Sequence, residues 1–273
     1  MMCQQQKFQI LSNKQIHGNY FQLRLKSERG FKHAVPGQFV MIHLSDNYFP
    51  LLRRPFSIHN VFQHEMGDYC FELLYKVIGK GTLILSRYQP DQWIDILGPI
   101  GNGFQIDESI QTALLISGGI GVAPMLFLAK CLLDNGTHCQ VFNGGRTSED
   151  VLCTEMFQSL GMDVNIYTND GRTGTKGFVT DDLSAHINKQ VPDIMYACGP
   201  HPMLSKVSEI ANANNIPCQV SLESHMACGM GACLGCALPS NDLHKSYFHV
   251  CADGPVFFSD RINWDNHESG ATS

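Results

Sequence analysis

The sequence predicts a multi-domain protein: an N-terminal antiparallel β-barrel over residues 1–104, a central α/β parallel-sheet domain over 105–220 and a small C-terminal domain over 221–273. Three observations predict it. The first part carries short apolar or alternating runs at close spacing. The middle switches to strand, glycine turn and helix. The last part gathers four cysteines among glycines.

The runs FQLRLK, QFVMIHL, YCFELLYKVI and WIDILG alternate or run apolar, with Gly, Pro and Asn between them. Their spacing, roughly 8–12 residues, suits a small antiparallel barrel. Within it stands Arg54-Pro55-Phe56-Ser57, followed by the strand segment Leu74-Tyr75-Lys76 and then Gly79-Lys80-Gly81-Thr82. Arg54 offers a planar fork to a pyrophosphate. Pro55 fixes the backbone so that Phe56 and Ser57 present main-chain groups and a hydroxyl to a flat ring. Gly81 and Thr82 open a short helix, TLILSRY, whose free N–H groups suit phosphate. Standing alone, R-P-F-S reads as a strand-edge turn.

In the middle, ALLIS reads as a buried strand, followed by Gly118-Gly119-Ile120-Gly121-Val122-Ala123-Pro124-Met125 and the helix PMLFLAKCLLDNG. Pro124 suits a first helical turn and Gly136 a position just past the end. Strand, glycine turn and helix form the dinucleotide-binding layout, although the pattern is not G-x-G-x-x-G. CQVFNGG, DVNIYTN and MYACGP follow as strands, and HPMLSKVSEIANANN as a helix. The alternation implies a parallel sheet with a ligand crevice at the strand C-termini, where Cys198 and Gly199 would face the nucleotide.

Cys228, Cys233, Cys236 and Cys251 fall in C-G-M-G-A-C-L-G-C and V-C-A-D-G-P. Their C-x4-C-x2-C…C spacing is that of a plant-type [2Fe–2S] cluster, held by four thiolates. Gly229, Gly231 and Gly235 supply the tight backbone that such a loop requires. Zinc fits less well, because Cys233/Cys236 is the one C-x2-C pair. A disulfide framework fits poorly with 11 cysteines in a chain of this length. The other seven (Cys3, Cys70, Cys131, Cys139, Cys153, Cys198, Cys218) read mostly as small core hydrophobes.

Hydrophobic residues make up 44% and charged residues 16%, enough for a sizeable core. A net charge of −6 gives no footprint for nucleic acid. The N-terminus, MMCQQQKFQI, has no basic region leading into an apolar one, and no apolar run reaches transmembrane length. Free thiols without an export signal point to a cytoplasmic protein that engages no membrane. The tail DNHESGATS is expected to fray.

The order R-P-F-S, G-K-G-T, G-G-I-G-V-A-P-M, C-G-P-H-P-M and C-x4-C-x2-C…C resembles ferredoxin-reductase-like flavoproteins with an appended [2Fe–2S] domain. Within them, Ser221 to Cys236 and Cys251 to Phe257 are similar to the electron-transfer subunits of the NAD-dependent, B-type dihydroorotate dehydrogenases. The resemblance implies an FAD-binding barrel over 1–104, an NAD-binding domain over 105–220 and a [2Fe–2S] domain over 221–273. It implies FAD contacts from Arg54, Pro55, Phe56, Ser57, Leu74, Tyr75, Lys76, Gly81 and Thr82. It further implies a heterotetramer with two FMN-containing catalytic subunits. One departure stands out: Ser117 takes the place where this family often has a third glycine. Subunits of anaerobic sulfite reductase and of soluble hydrogenases carry similar cysteine spacing, but Ala232 and Leu234-Gly235 favour the dihydroorotate system. Arg146 could reach a 2′-phosphate or simply sit solvated in a turn, so NAD is favoured over NADP on resemblance.

Electron counting then gives a route. Nicotinamide exchanges two electrons and the cluster one, so FAD must stand between them. Electrons would pass from partner flavin to cluster, FAD and NAD⁺, with no catalytic residue for dihydroorotate in this chain. The alternative from another class, a redox-sensing iron–sulfur module, would need neither R-P-F-S nor two glycine turns. The apolar residues Tyr247, Phe248, Val256, Phe257 and Phe258 are candidates for the partner contact, with packing around the cluster as their other fate.

Overall fold

The computed structural model describes residues 4–27, 30–44, 49–63 and 69–265; Cys3 and the polar tail beyond Asp265 lie outside them. The barrel is built from β1 (Gln4–His17), β2 (Tyr20–Ser27), β3 (Phe39–His43), β4 (Arg54–Gln63) and β5 (Tyr69–Lys76). A short helix α1 (Lys80–Leu85) follows, and β6 (Trp93–Ile100) completes it. The strands close in the order β1-β2-β5-β4-β3-β6. Alternation directs Phe8, Ile10, Leu23, Leu25, Phe71 and Leu73 inward, each with no exposed surface. Closure leaves the barrel without a free edge.

The next unit runs β7 (Thr112–Gly118), α2 (Met125–Asp134), β8 (His138–Gly145), α3 (Thr154–Ser159), β9 (Asp163–Thr168), β10 (Thr175–Lys176), α4 (Leu183–Ile187), β11 (Ile194–Cys198), α5 (His201–Ala213) and β12 (Cys218–Ser221). Then come β13 (Ala237–Pro239), β14 (Tyr247–His249), α6 (Val250–Asp253) and β15 (Val256–Phe258). The central sheet is seven-stranded, ordered β10-β9-β8-β7-β11-β12-β15. All its pairings are parallel except the last, where β15 runs antiparallel to β12 with Val220 opposite Phe257. The buried strands read as continuous apolar runs because helices cover both faces.

Two details differ from the sequence reading. β15 lies beyond residue 221 yet completes the nucleotide-type sheet, so the C-terminal segment shares that sheet. Its β13–β14 hairpin stands apart as a separate two-stranded sheet. Further ties run to the barrel: Asn102 donates from its backbone N–H to the Gly254 carbonyl and from its side chain to the Asp253 carbonyl. The apolar stretch offered as a partner contact is also mostly core. Phe248, Val256 and Phe257 are buried, because β14 and β15 pack them against the sheet and hairpin, while Tyr247 stays exposed. Among the described residues no helix is long and apolar enough to cross a membrane.

Candidate functional site

The cysteine loop runs from the end of β12 to β13. Positive φ at Gly229, Gly231 and Leu234 (71°, 81° and 60°) curls it so that backbone N–H groups turn toward sulfur. The N–H groups of Met230 and Cys233 each lie 3.4 Å from Cys228 Sγ, Gly231 N–H lies 3.1 Å from Cys251 Sγ, and Cys251 N–H lies 3.5 Å from Cys236 Sγ. Cys236 and Cys251 touch through their sulfurs at 3.3 Å, free of any covalent bridge. The thiols therefore fall into two pairs, Cys228 with Cys233 and Cys236 with Cys251. No group of three ligand-type side chains among the described residues closes on one point, as a single-ion site would require. Two thiol pairs ringed by N–H donors suit a binuclear cluster better than one metal ion. Burial raises the Cys228 thiol, but the N–H groups of Met230 and Cys233 outweigh it and bring it down to about 6. Burial and the neighbouring Cys236 push Cys251 up to about 12.

The loop rests on the barrel. A side chain at Gly229 would collide with Met41, whose strand partner across β3–β4 is Pro55. Gly229 is thus required by close approach, and the cysteine loop packs on β3, the strand that neighbours R-P-F-S.

At R-P-F-S the barrel opens. β4 pairs with β3 from Arg54–Ile42 to Ser57–Phe39, but with β5 only from Ile58–Leu73 onward. Leu74, Tyr75 and Lys76 pair on their other side with Gln22, Phe21 and Tyr20. Beyond Ile58 and Leu73 the two strands part, leaving Arg54–Ser57 and Leu74–Lys76 without each other as ladder partners. The backbone groups of these two segments that face each other therefore have no strand partner there, which makes them the candidate slot for a flat ring. Leu74 is buried outside the barrel in the cluster with Tyr20, Val122 and Ala123, whereas Tyr75 points into the barrel core and its hydroxyl donates to Asn13 Oδ1 at 3.0 Å. Lys76 forms an ion pair with Asp150 at 3.0 Å. Arg54 reaches α1: a Cβ on Gly81 would stand 3.3 Å from its Nε. The Thr82 hydroxyl caps the helix locally, accepting from Ile78 and Gly79 N–H at 3.0 and 3.2 Å.

The glycine turn lies between the parallel neighbours β7 and β11, where the strand order reverses. The turn runs Gly119–Val122, and α2 starts at Met125, with Pro124 capping it rather than lying inside its first turn. Gly121 sits under Cys198 and Gly199; a side chain there would run into the Cys198 carbonyl. Gly199 in turn abuts Gly118. Ser117 is accommodated because its hydroxyl donates back into the sheet, to Asn143 Oδ1 at 3.0 Å. Burial and then Glu223 raise the Cys198 thiol. Glu223 was not singled out in the sequence. Desolvation raises its carboxyl pKa, although the residue keeps exposed surface. Its place just after the last parallel strand was the available signal. Arg146 bonds Asp150 Oδ2 at 3.1 Å, so the solvated-turn reading of that arginine has a concrete anchor.

Segment 223–263 matches the iron-sulfur cluster binding domain of dihydroorotate dehydrogenase B, and 115–209 the oxidoreductase NAD-binding domain. The dihydroorotate dehydrogenase B (NAD(+)) electron transfer subunit of Bacillus pumilus (strain SAFR-032) is 38% identical over 255 residues, 93% of this chain and 96% of that one. The chain belongs to this family of electron transfer subunits. The same-named subunit of Lysinibacillus sphaericus (strain C3-41) is 39% identical over 259 residues, 94% of this chain and 97% of that one. Among solved structures, a chain of an NADH-dependent reduced ferredoxin-NADP oxidoreductase superposes with a TM-score of 0.82 at 29% identity, covering 94% of this chain and 90% of that one. The two family matches span the glycine turn, Cys198–Gly199 and the cysteine loop.

Proposed function

We propose that this chain is the electron-transfer arm of a two-subunit dihydroorotate dehydrogenase, carrying electrons from an FMN-containing catalytic subunit to NAD⁺. The observation that carries the reading is contiguity. The cysteine loop backs onto Met41 of β3, the strand next to R-P-F-S, and two residues past that motif His59 meets the glycine turn at Ala123. A bound flavin exchanges either single electrons or a hydride, which joins a one-electron cluster to a two-electron nicotinamide.

Each part has its residues. Cys228 and Cys233 hold one iron of a [2Fe–2S] cluster, and Cys236 and Cys251 the other. The N–H groups of Met230, Gly231 and Cys233 soften the charge on the sulfurs. Arg54 and the N–H groups at Gly81 and Thr82 hold the FAD pyrophosphate. Pro55, Phe56 and Ser57 form one side of the slot and the main chain of Leu74, Tyr75 and Lys76 the other. Gly118, Gly119 and Gly121 admit the NAD pyrophosphate, with Cys198 and Gly199 beside the nicotinamide. Exposed Cys233 is flanked by exposed Met230, Leu234 and, nearby in sequence, Leu243 and Tyr247, which replace the buried phenylalanines as the partner contact. Two copies of each subunit assemble, in the cytoplasm, where free thiols persist.

The test is reconstitution. The purified chain, mixed with the candidate catalytic subunit, should reduce NAD⁺ at the expense of dihydroorotate; alone, it should only reduce dyes with NADH. Dihydroorotate oxidation by the isolated chain, or reduction driven by sulfite or hydrogen through another partner, would overturn the assignment.

A further inference from the structure

β4 carries a β-bulge between Ile58 and Asn60. Ile58 pairs with Leu73 and Asn60 with the adjacent Glu72, which leaves His59 as the extra residue. Ile58 and Val61 pack on the barrel core, so the bulge turns both His59 and Asn60 outward. Re-aiming side chains is what bulges do beside functional sites. The His59 ring is 1% exposed and sits with Nδ1 2.6 Å from the Ala123 carbonyl oxygen. A carbonyl only accepts, so Nδ1 carries the proton and donates. Burial holds the ring neutral, aided by Lys130 and opposed by the Ala123 bond and by Glu72.

Asn60 makes the second tie to the same helix. Its Oδ1 accepts from Lys130 Nζ at 3.1 Å, and its Nδ2 donates to Glu72 Oε2 at 3.1 Å. Arg24 neutralises Glu72 at 2.6 Å. Ala123 ends the G-G-I-G-V turn immediately before α2. Ser57, two residues before His59, shares its outward face. One strand therefore presents the slot at Ser57 and clasps the glycine turn at His59.

We propose that His59 is a positioning residue for the nicotinamide dinucleotide: its ring fixes the Gly118–Pro124 turn against the flavin strand, setting where a nucleotide on that turn meets a ring at Ser57. The proposal rests on the reading of that turn as the nucleotide site.

The experiment compares His59→Ala and His59→Asn in the full chain with its flavin and cluster, by steady-state NADH-dependent ferricyanide reduction. In His59→Ala the Ala123 carbonyl loses its donor in a dry interface. KM for NADH should rise about tenfold, the order expected for a buried acceptor left unpaired. Flavin per chain and cluster absorbance should match wild type. His59→Asn places an amide N–H near the old Nδ1 and should stay within about threefold of wild type. An unchanged KM in His59→Ala, an Asn variant as impaired as the Ala variant, or loss of flavin from His59→Ala would each overturn the positioning role. Gly121→Val separates the two levels. If it too turns over NADH normally, the nucleotide site lies elsewhere. If it is crippled while His59→Ala is silent, only the role of His59 falls.

Discussion

In the cysteine loop the functional atoms are side chains, strung between Cys228 and Cys251 on a segment with little regular structure. In the proposed barrel slot they would be mostly backbone groups, contributed by the ends of β4, β5 and α1 from separate parts of the chain. The loop needs the right residue types at the right intervals, and local curvature does the rest. The slot needs two strands to part at one register, which is a property of the whole barrel. Substitutions should therefore act in an all-or-none manner at the loop and by degrees around the slot.

The largest effect is expected at Cys233. Cys233→Ala removes a thiolate that no other described side chain can replace. Iron and sulfide should be lost, and dihydroorotate-driven NAD⁺ reduction with the partner should fall to background. Flavin and NADH–ferricyanide turnover should survive, since the barrel is built without the loop. Two irons per chain persisting in the variant would erase the contrast. Next is Gly121→Val, whose side chain meets the Cys198 carbonyl. Displacing the turn by an ångström should cost about a hundredfold in NADH-dependent turnover while flavin and cluster stay bound. Normal turnover would move the nucleotide site.

Arg54→Ala should be graded. One guanidinium is lost from a slot otherwise made of main chain, so flavin affinity should drop roughly tenfold without vanishing. Fluorescence of released flavin during dilution measures it, and FMN in place of FAD in the extract would contradict the pyrophosphate role. The smallest effect is expected at Asp150, which accepts from Tyr20 at 2.5 Å and Lys76 at 3.0 Å across the barrel boundary and from Arg146 of its own turn at 3.1 Å. Burial opposes its charge, but those bonds prevail and lower its pKa to about 2. A depressed carboxylate contributes its stability above the unfolded value of about 3.9 and loses it as pH falls through the folded value. Asp150→Asn should therefore lower Tm at pH 7 by about 2–4 °C. The gap should narrow between about pH 4 and pH 2, and a gap that widens on acidification would reverse the sign.

The same contrast explains what the sequence revealed. The cysteines and their glycines were readable at once, because ligand spacing is a one-dimensional property. The strand–turn–helix at Gly118 to Met125 was readable because a buried run and a glycine cluster are local signals. The slot was readable only through R-P-F-S and the resemblance, since the divergence of β4 from β5 appears in no short segment. The side chains of Leu74 and Tyr75 are buried and serve packing, which R-P-F-S and the strand pattern did not reveal. His59 was hidden because alternation marks it only as an outward strand residue, while its partner, the Ala123 carbonyl, is distant in sequence. Asp150 escaped notice because its partners, Tyr20 and Lys76, are distant in sequence.

β15 bears on how this architecture can be taken apart. Its antiparallel ladder to β12 means that cutting the chain after Ser221 would not liberate a two-part reductase. Such a cut would bare the N–H and C=O row of β12 and uncover Val220, an invitation to intermolecular strand pairing. A minimal NADH–flavin fragment would have to keep Val256–Phe258 through a spliced linker in place of the cysteine loop. Conversely, grafting this iron–sulfur segment onto another reductase would require a recipient sheet with a vacant final edge, so the transplantable unit is the loop together with its returning strand.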